Sequence, residues 1–137
     1  MHEASFRILR LCEDWYCNTD GLAVGVNAGI DLGGPKKDQI LWTATNVVIR
    51  SLDGRVYENY KEHYTITDML SYVGRPLLKL DVVTVQVDLT REVPRVKFAV
   101  NGKFGQHYDI LYLPDEKIKQ LRFVVETYTK DVTVEII

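Results

Sequence analysis

The sequence is poor in the residues that would point to a metal, a membrane or a nucleic acid. It holds two cysteines, Cys12 and Cys17. Their spacing is looser than that of paired zinc ligands, and no second pair accompanies them. Nothing else suggests an oxidising compartment, so reduced thiols are expected rather than a disulfide. The histidines, His2, His63 and His107, are scattered along the chain. No uninterrupted apolar run approaches the roughly 18 residues that a membrane-spanning helix needs. The segment Met1 to Arg7 carries an acid and lacks an apolar signal core, which argues against secretion. No Asn-x-Ser/Thr acceptor occurs. A formal net charge of −2 supplies no basic excess for nucleic acid or an anionic membrane. A soluble, cytoplasmic protein without a nucleic-acid partner or membrane insertion is the expectation.

Reaction chemistry is just as thinly represented. A catalytic reading would bring Cys12 or Cys17 together with His63 and an Asp. Neither cysteine sits beside a nucleophile elbow or a Gly-rich oxyanion turn, so both are expected to be inert. The stretch Gly29-Ile-Asp-Leu-Gly-Gly-Pro-Lys-Lys-Asp38 is a loop by its glycines and proline. As a calcium loop it fails, because Lys36 and Lys37 lie inside it and its acids are wrongly spaced. As a phosphate loop it fails too, since no Gly-Lys-Ser/Thr follows. No metal, no cofactor and no catalytic residue is expected.

What the chain has is β alternation. In Asp81–Leu89, Val83, Val85 and Val87 alternate with Thr84, Gln86 and Asp88; after a polar break, Val96, Phe98 and Val100 alternate with Lys97 and Ala99. Period two sends one set of side chains to each face of a strand, so both runs read as half-buried antiparallel strands. Asn101-Gly102 then supplies the positive backbone dihedrals of a tight hairpin turn. Further strands are expected at Ala4 to Leu11, with Phe6 and Ile8 inward, at Leu22 to Asn27, apolar on both faces and therefore central, and at Ile40 to Ile49. Asp53-Gly54 signals a second hairpin, leading into a strand from Arg55 to Asn59. Tyr60 to Lys79 reads as a long irregular connection with at most one helical turn near Asp68. Gly105 to Tyr112 reads as an edge strand, and Leu113 to Glu116 as the start of a helical turn. Leu121 to Glu126 and Val132 to Ile136 read as closing strands. Strands at this spacing without a long helix predict one all-β domain over 1–137, a sandwich or barrel.

Binding residues are sought where aromatic and charged side chains fall outside the strand pattern. Trp42 and Tyr57 fall within expected strands and read as core. Trp15, Tyr16, Tyr60 and Tyr64 fall in expected loops, where an aromatic either lids the core or anchors an interface. Asp31, Lys36 and Lys37 in one loop, and Arg91 and Arg95 in another, read as solvated charges unless the fold gathers these loops at one end. The candidate surface is therefore Asp31–Asp38, Tyr60–Tyr64 and Thr90–Arg95, with Trp15–Tyr16 as a secondary contributor.

These same residues resemble the SPRY domain family. Leu22-Ala-Val-Gly-Val-Asn27 resembles its W-A-V-G-V-A strand, and Asp53-Gly54-Arg55-Val56-Tyr57 resembles its G-x-x-Y hairpin. Leu80 to Leu89 is similar to its G-D-V-V-G-V-x-L-D strand, and Val96 to Lys103 to its L-x-F-x-x-N-G signature. The segments fall in the family's order, from about Gly21 to Ile136. Leu22 stands where the family often has Trp or Tyr, Leu80 where Gly commonly precedes the Asp, Thr84 in place of the second Gly, and Pro94 in a loop often rich in Gly or Lys. The N-terminal extension of the longer versions is expected to be absent. The resemblance implies a divergent, short member: a twisted antiparallel two-sheet sandwich of concanavalin-like architecture that is not an enzyme. It further implies recognition of a peptide or protein surface through variable loops, as an adaptor or scaffold module. The alternative is a lectin-like, carbohydrate-binding sandwich, for which Trp15 with Asn18 and Asp20 is the faint counterpart.

Overall fold

Val83, Val85, Val87, Val96, Phe98 and Val100 are all buried, and they pair across two neighbouring strands as Val83↔Val100, Val85↔Phe98 and Val87↔Val96. This ladder is the centre of a two-sheet antiparallel β-sandwich. The computed structural model describes residues 1–11, 22–28, 45–51, 53–60, 63–67, 75–110, 121–127 and 131–137. Its strands are β1 (His2–Arg10), β2 (Leu22–Ala28), β3 (Thr45–Arg50), β4 (Val56–Tyr60), β5 (His63–Thr67), β6 (Val82–Asp88), β7 (Arg95–Val100), β8 (Lys103–Phe104), β9 (Tyr108–Asp109), β10 (Arg122–Thr127) and β11 (Thr133–Ile136). One sheet runs β11-β1-β6-β7-β8, with β9 also on the free edge of β7; the other runs β10-β2-β3-β4-β5. Among the described residues there is no helix, hence none long and apolar enough to cross a membrane.

The core lies between the sheets. Phe6 and Ile8 join the β6 and β7 side chains from one sheet; Leu22, Val24, Val26, Val47, Ile49 and Val56 meet them from the other. Fully burying a side chain of this size contributes about 1.5–3 kcal/mol. β2 is buried on both faces, as its apolar run requires: Ala23 packs with Val48 and Tyr57 on the outer side of the sheet. Tyr57 lies against the Arg50 guanidinium, 4.6 Å from its ring centroid, and donates its hydroxyl to Asp53. Both expected hairpin turns are present, with Asn101 at φ 54° and Gly102 at 81° between the paired Val100 and Lys103, and Gly54 at 68° before β4.

Three expectations need correction. The connection from Tyr60 to Lys79 contains a strand: His63-Tyr-Thr-Ile-Thr67 pairs with β4 from Tyr60↔His63 to Val56↔Thr67. Its β-branched and aromatic residues suit an edge strand, but only five alternating positions were too few to stand out. Tyr60 and Tyr64 are therefore strand residues, not loop residues. Of the strand expected from Gly105 to Tyr112, the described residues 105–110 pair only at β9, and β8 precedes it; both are short pairings that share the edge of β7. Residues 40–44, Trp42 among them, the turn near Asp68 and the segment 113–116 lie outside the described residues, as do Cys12 and Cys17.

One end of the sandwich is clasped shut by segment 75–81, which crosses between the sheets. Leu77 N–H donates to Ser51 O at 2.9 Å, Leu80 N–H to Ile8 O at 2.6 Å, and Ile8 N–H to Asp81 O at 2.9 Å. The Asp81 carboxylate accepts from Leu78 N–H at 2.7 Å, from the Arg75 guanidinium at 2.9 and 3.3 Å, and from Asn101 Nδ2 at 2.9 Å. Asn101 Oδ1 in turn accepts from Val82 N–H at 2.9 Å. Burial pushes the Asp81 carboxyl up, but the bonds from Arg75, Leu78 and Asn101 outweigh it and hold it below the usual carboxylate range. Asp81 and Asn101 are thus framework residues, joined by a hydrogen bond between the two sequence segments they open and close.

Candidate functional site

The opposite end is built differently. The antiparallel register puts His2, Val87, Asp88 and Arg95 together at this end of the first sheet, and Asn27, Asn59, His63 and Arg122 at the corresponding end of the second. The connection between β2 and β3, which contains Asp31, Lys36 and Lys37, leaves from Ala28 and returns at Thr45, both at this end. The β4–β5 connection closes here at Tyr60↔His63, and residues 89–94 link β6 to β7 here. The fold thus gathers the strand ends of all three segments singled out in the sequence. Asp31, Lys36 and Lys37 themselves lie outside the described residues. So do Trp15 and Tyr16; the strand ends that flank them, Arg10 of β1 and Leu22 of β2, are at the clasped end.

Among the described residues, two concavities open at this end, one on each face of β6. The first is a groove of about 170 Å³ on the outer face of the six-stranded sheet, lined by Gln86, Asp88, Arg91, Arg95, Lys97 and His107, with Met1 beside them. Alternation explains its chemistry. With Val87, Val96 and Phe98 committed to the core, Gln86, Asp88, Arg95 and Lys97 must point outward, and the register sets Gln86 opposite Lys97 and Asp88 opposite Arg95. The second is a cleft of about 220 Å³ between the sheets, lined by Val26, Val87, Leu89, Leu121 and Phe123, with His2 and Arg122 among its lining. Residues 89–94 connect them: Leu89 lines the cleft and Arg91 the groove.

The charges here are unequally engaged. Arg95 is not a free loop cation; it opens β7 and its Nε donates to Asp109 at 2.8 Å, with its side chain 26% exposed. Pairing Arg95↔Asp109 across β7 and β9 brings the two together. Asp88 accepts from the Thr90 hydroxyl at 2.5 Å and the Thr90 N–H at 2.9 Å, and these bonds lower its pKa. Arg91, Lys97, His107 and Arg122 are exposed, and among the described residues none makes a side-chain hydrogen bond or ion pair.

Lys97, His107, Gln86, His2 and Arg122 were not singled out from the sequence. The signal for Lys97 and Gln86 was present, as outward positions in an alternating run. His2, His107 and Arg122 carry no such local mark; they join the site only through strand order. No group of three or more His, Cys, Asp or Glu placed to hold a metal ion occurs among the described residues. The site offers charge, hydrogen-bond donors and an apolar recess, which are the means of non-covalent recognition. Comparisons of the chain with models of known protein families, with curated proteins and with solved structures found no match.

Proposed function

We propose that this chain is a non-catalytic interaction module of the SPRY type, which recognises a peptide or protein surface at the end of the sandwich carrying the groove and the cleft. The observation that carries the reading is convergence: three connections nominated for their aromatic and charged residues are rooted at one end, and both concavities open there. A rigid sandwich holds such connections in place and lowers the ordering penalty of binding. The family resemblance lends support through its framework positions. Asp81 and Asn101 bond to each other, and Leu80, at the place where the family commonly has Gly, has a positive φ of 73°.

Site-specific photo-crosslinking tests this. A benzophenone side chain replacing Arg91 should give discrete protein adducts in a cell extract that excess unlabelled domain competes away. The same group replacing Leu78, exposed at the clasped end, should give none. Competable adducts only from position 78, or saturable binding of a single glycan on an array in place of protein adducts, would overturn the proposal.

A further inference from the structure

The two concavities together specify a ligand chemistry, and this step rests on the interaction reading above. Three arginines away from the open end have carboxylate partners: Arg7 with Glu135 at 3.3 Å, Arg10 with Asp131 at 3.5 Å and Arg75 with Asp81 at 2.9 Å. The exposed Lys79 and Lys103 have none among the described residues, but they line neither concavity. At the open end, Asp109 is taken by Arg95, Asp88 accepts from Thr90 and is further steadied by the Arg91 charge, and Glu3 accepts from Gln86 at 2.5 Å. Glu92 is the remaining exposed acid of residues 89–94. Arg91 and Lys97 in the groove, and Arg122 at the cleft, keep their donors uncommitted among the described residues. Beside Arg122, and linked to the groove through residues 89–94, lies a mainly apolar recess of about 220 Å³, room for one Leu, Ile or Phe side chain.

We infer that this end binds an acidic peptide segment carrying one apolar anchor residue. The anchor enters the cleft against Val26, Val87, Leu89 and Phe123. Flanking carboxylates on one side reach Arg122; on the other they cross residues 89–94 to Arg91 and Lys97. Geometry supports a single continuous ligand, because Leu89 and Arg91 stand two residues apart in the connection that separates the recesses. The division of labour follows from physics. Burying the anchor supplies affinity, while exposed charges act mainly on the association rate, specificity and salt dependence.

Fluorescence anisotropy with short labelled peptides tests the assignment. The probes are a Leu flanked on both sides by Glu, the same peptide with Ala for Leu, and the Leu peptide with Lys for every Glu. The Glu-Leu peptide should bind at least about tenfold more tightly than either relative, and rising salt should weaken it. The double variant Arg91→Glu, Lys97→Glu should lower its affinity about tenfold. Lys103→Glu, an exposed change at the clasped end, should leave it unaltered. Equal binding of the Ala or Lys peptide, or equal loss in Lys103→Glu, overturns the inference. If no peptide binds while the position-91 crosslinks form, the ligand chemistry is wrong and the interaction reading stands. If the crosslinks also fail, both fall.

Discussion

Two Arg–Asp pairs of nearly equal length stand at opposite ends of this sandwich, and they serve different purposes. Arg75–Asp81 at the clasped end measures 2.9 Å; Arg95–Asp109 at the open end measures 2.8 Å. The Asp81 side chain is 7% exposed and also holds Leu78 N–H and Asn101 Nδ2, so its removal would strand several donors at once. Asp109 is 40% exposed, and the bond from Arg95 is the side-chain bond seen for it among the described residues. Distance is therefore a poor guide to worth. Burial and the number of groups depending on one carboxylate decide it. The ends also differ in build: one is tied across both sheets by segment 75–81, and the other carries the groove and the cleft.

The shared core sets the scale against which either end is judged. Phe98, fully buried opposite Val85, is common to both, and Phe98→Ala should lower unfolding stability by about 3–5 kcal/mol in a urea titration. A loss below about 1 kcal/mol would show that the ladder is not the core.

The carboxylate comparison comes next. Asp81→Asn should cost about 2 kcal/mol, less than a fully buried pair because the Arg75 side chain is 37% exposed; Asp109→Asn should cost under about 1 kcal/mol. Equal losses would erase the distinction between the ends. Acid titration sharpens it. The folded pKa of Asp81 is depressed, so the unfolded chain binds the extra proton; the stability this group contributes is present above the ordinary carboxylate value and is lost as pH falls from about 4 downward. The parent should lose stability in that window more steeply than Asp81→Asn. Parallel curves would remove Asp81 from the clasp.

The smallest effect has the opposite sign. Leu80 is 63% exposed with φ at 73°, a conformation that costs a side-chain-bearing residue about 1–2 kcal/mol. Leu80→Gly relieves this at some expense in unfolded-chain entropy, and should raise stability by about 0.5–1 kcal/mol. A drop in melting temperature would mean that the Leu80 side chain contributes packing its exposure conceals.

The sequence by itself determined the local and periodic features. Val83 to Val87 and Val96 to Val100 revealed their buried faces because side chains alternate along any strand. Asn101-Gly102 revealed its turn because few residues tolerate positive φ, and the apolar run from Leu22 revealed a strand covered on both sides. Where the signal was short it failed: β5 offers five residues, and β8 and β9 two each. Arg91 and Arg95 could be seen as charges, but not that Arg95 would be engaged by Asp109, fourteen positions away. Tertiary structure alone decided which connections share an end, that Asp81 and Asn101 would meet across twenty positions, and that Gln86, Lys97 and His107 would line one groove. The physical reason is range. Alternation and turn geometry act between neighbours in the chain, whereas sheet order and register are settled by burying both apolar faces at once, and only that global choice brings distant side chains into one site.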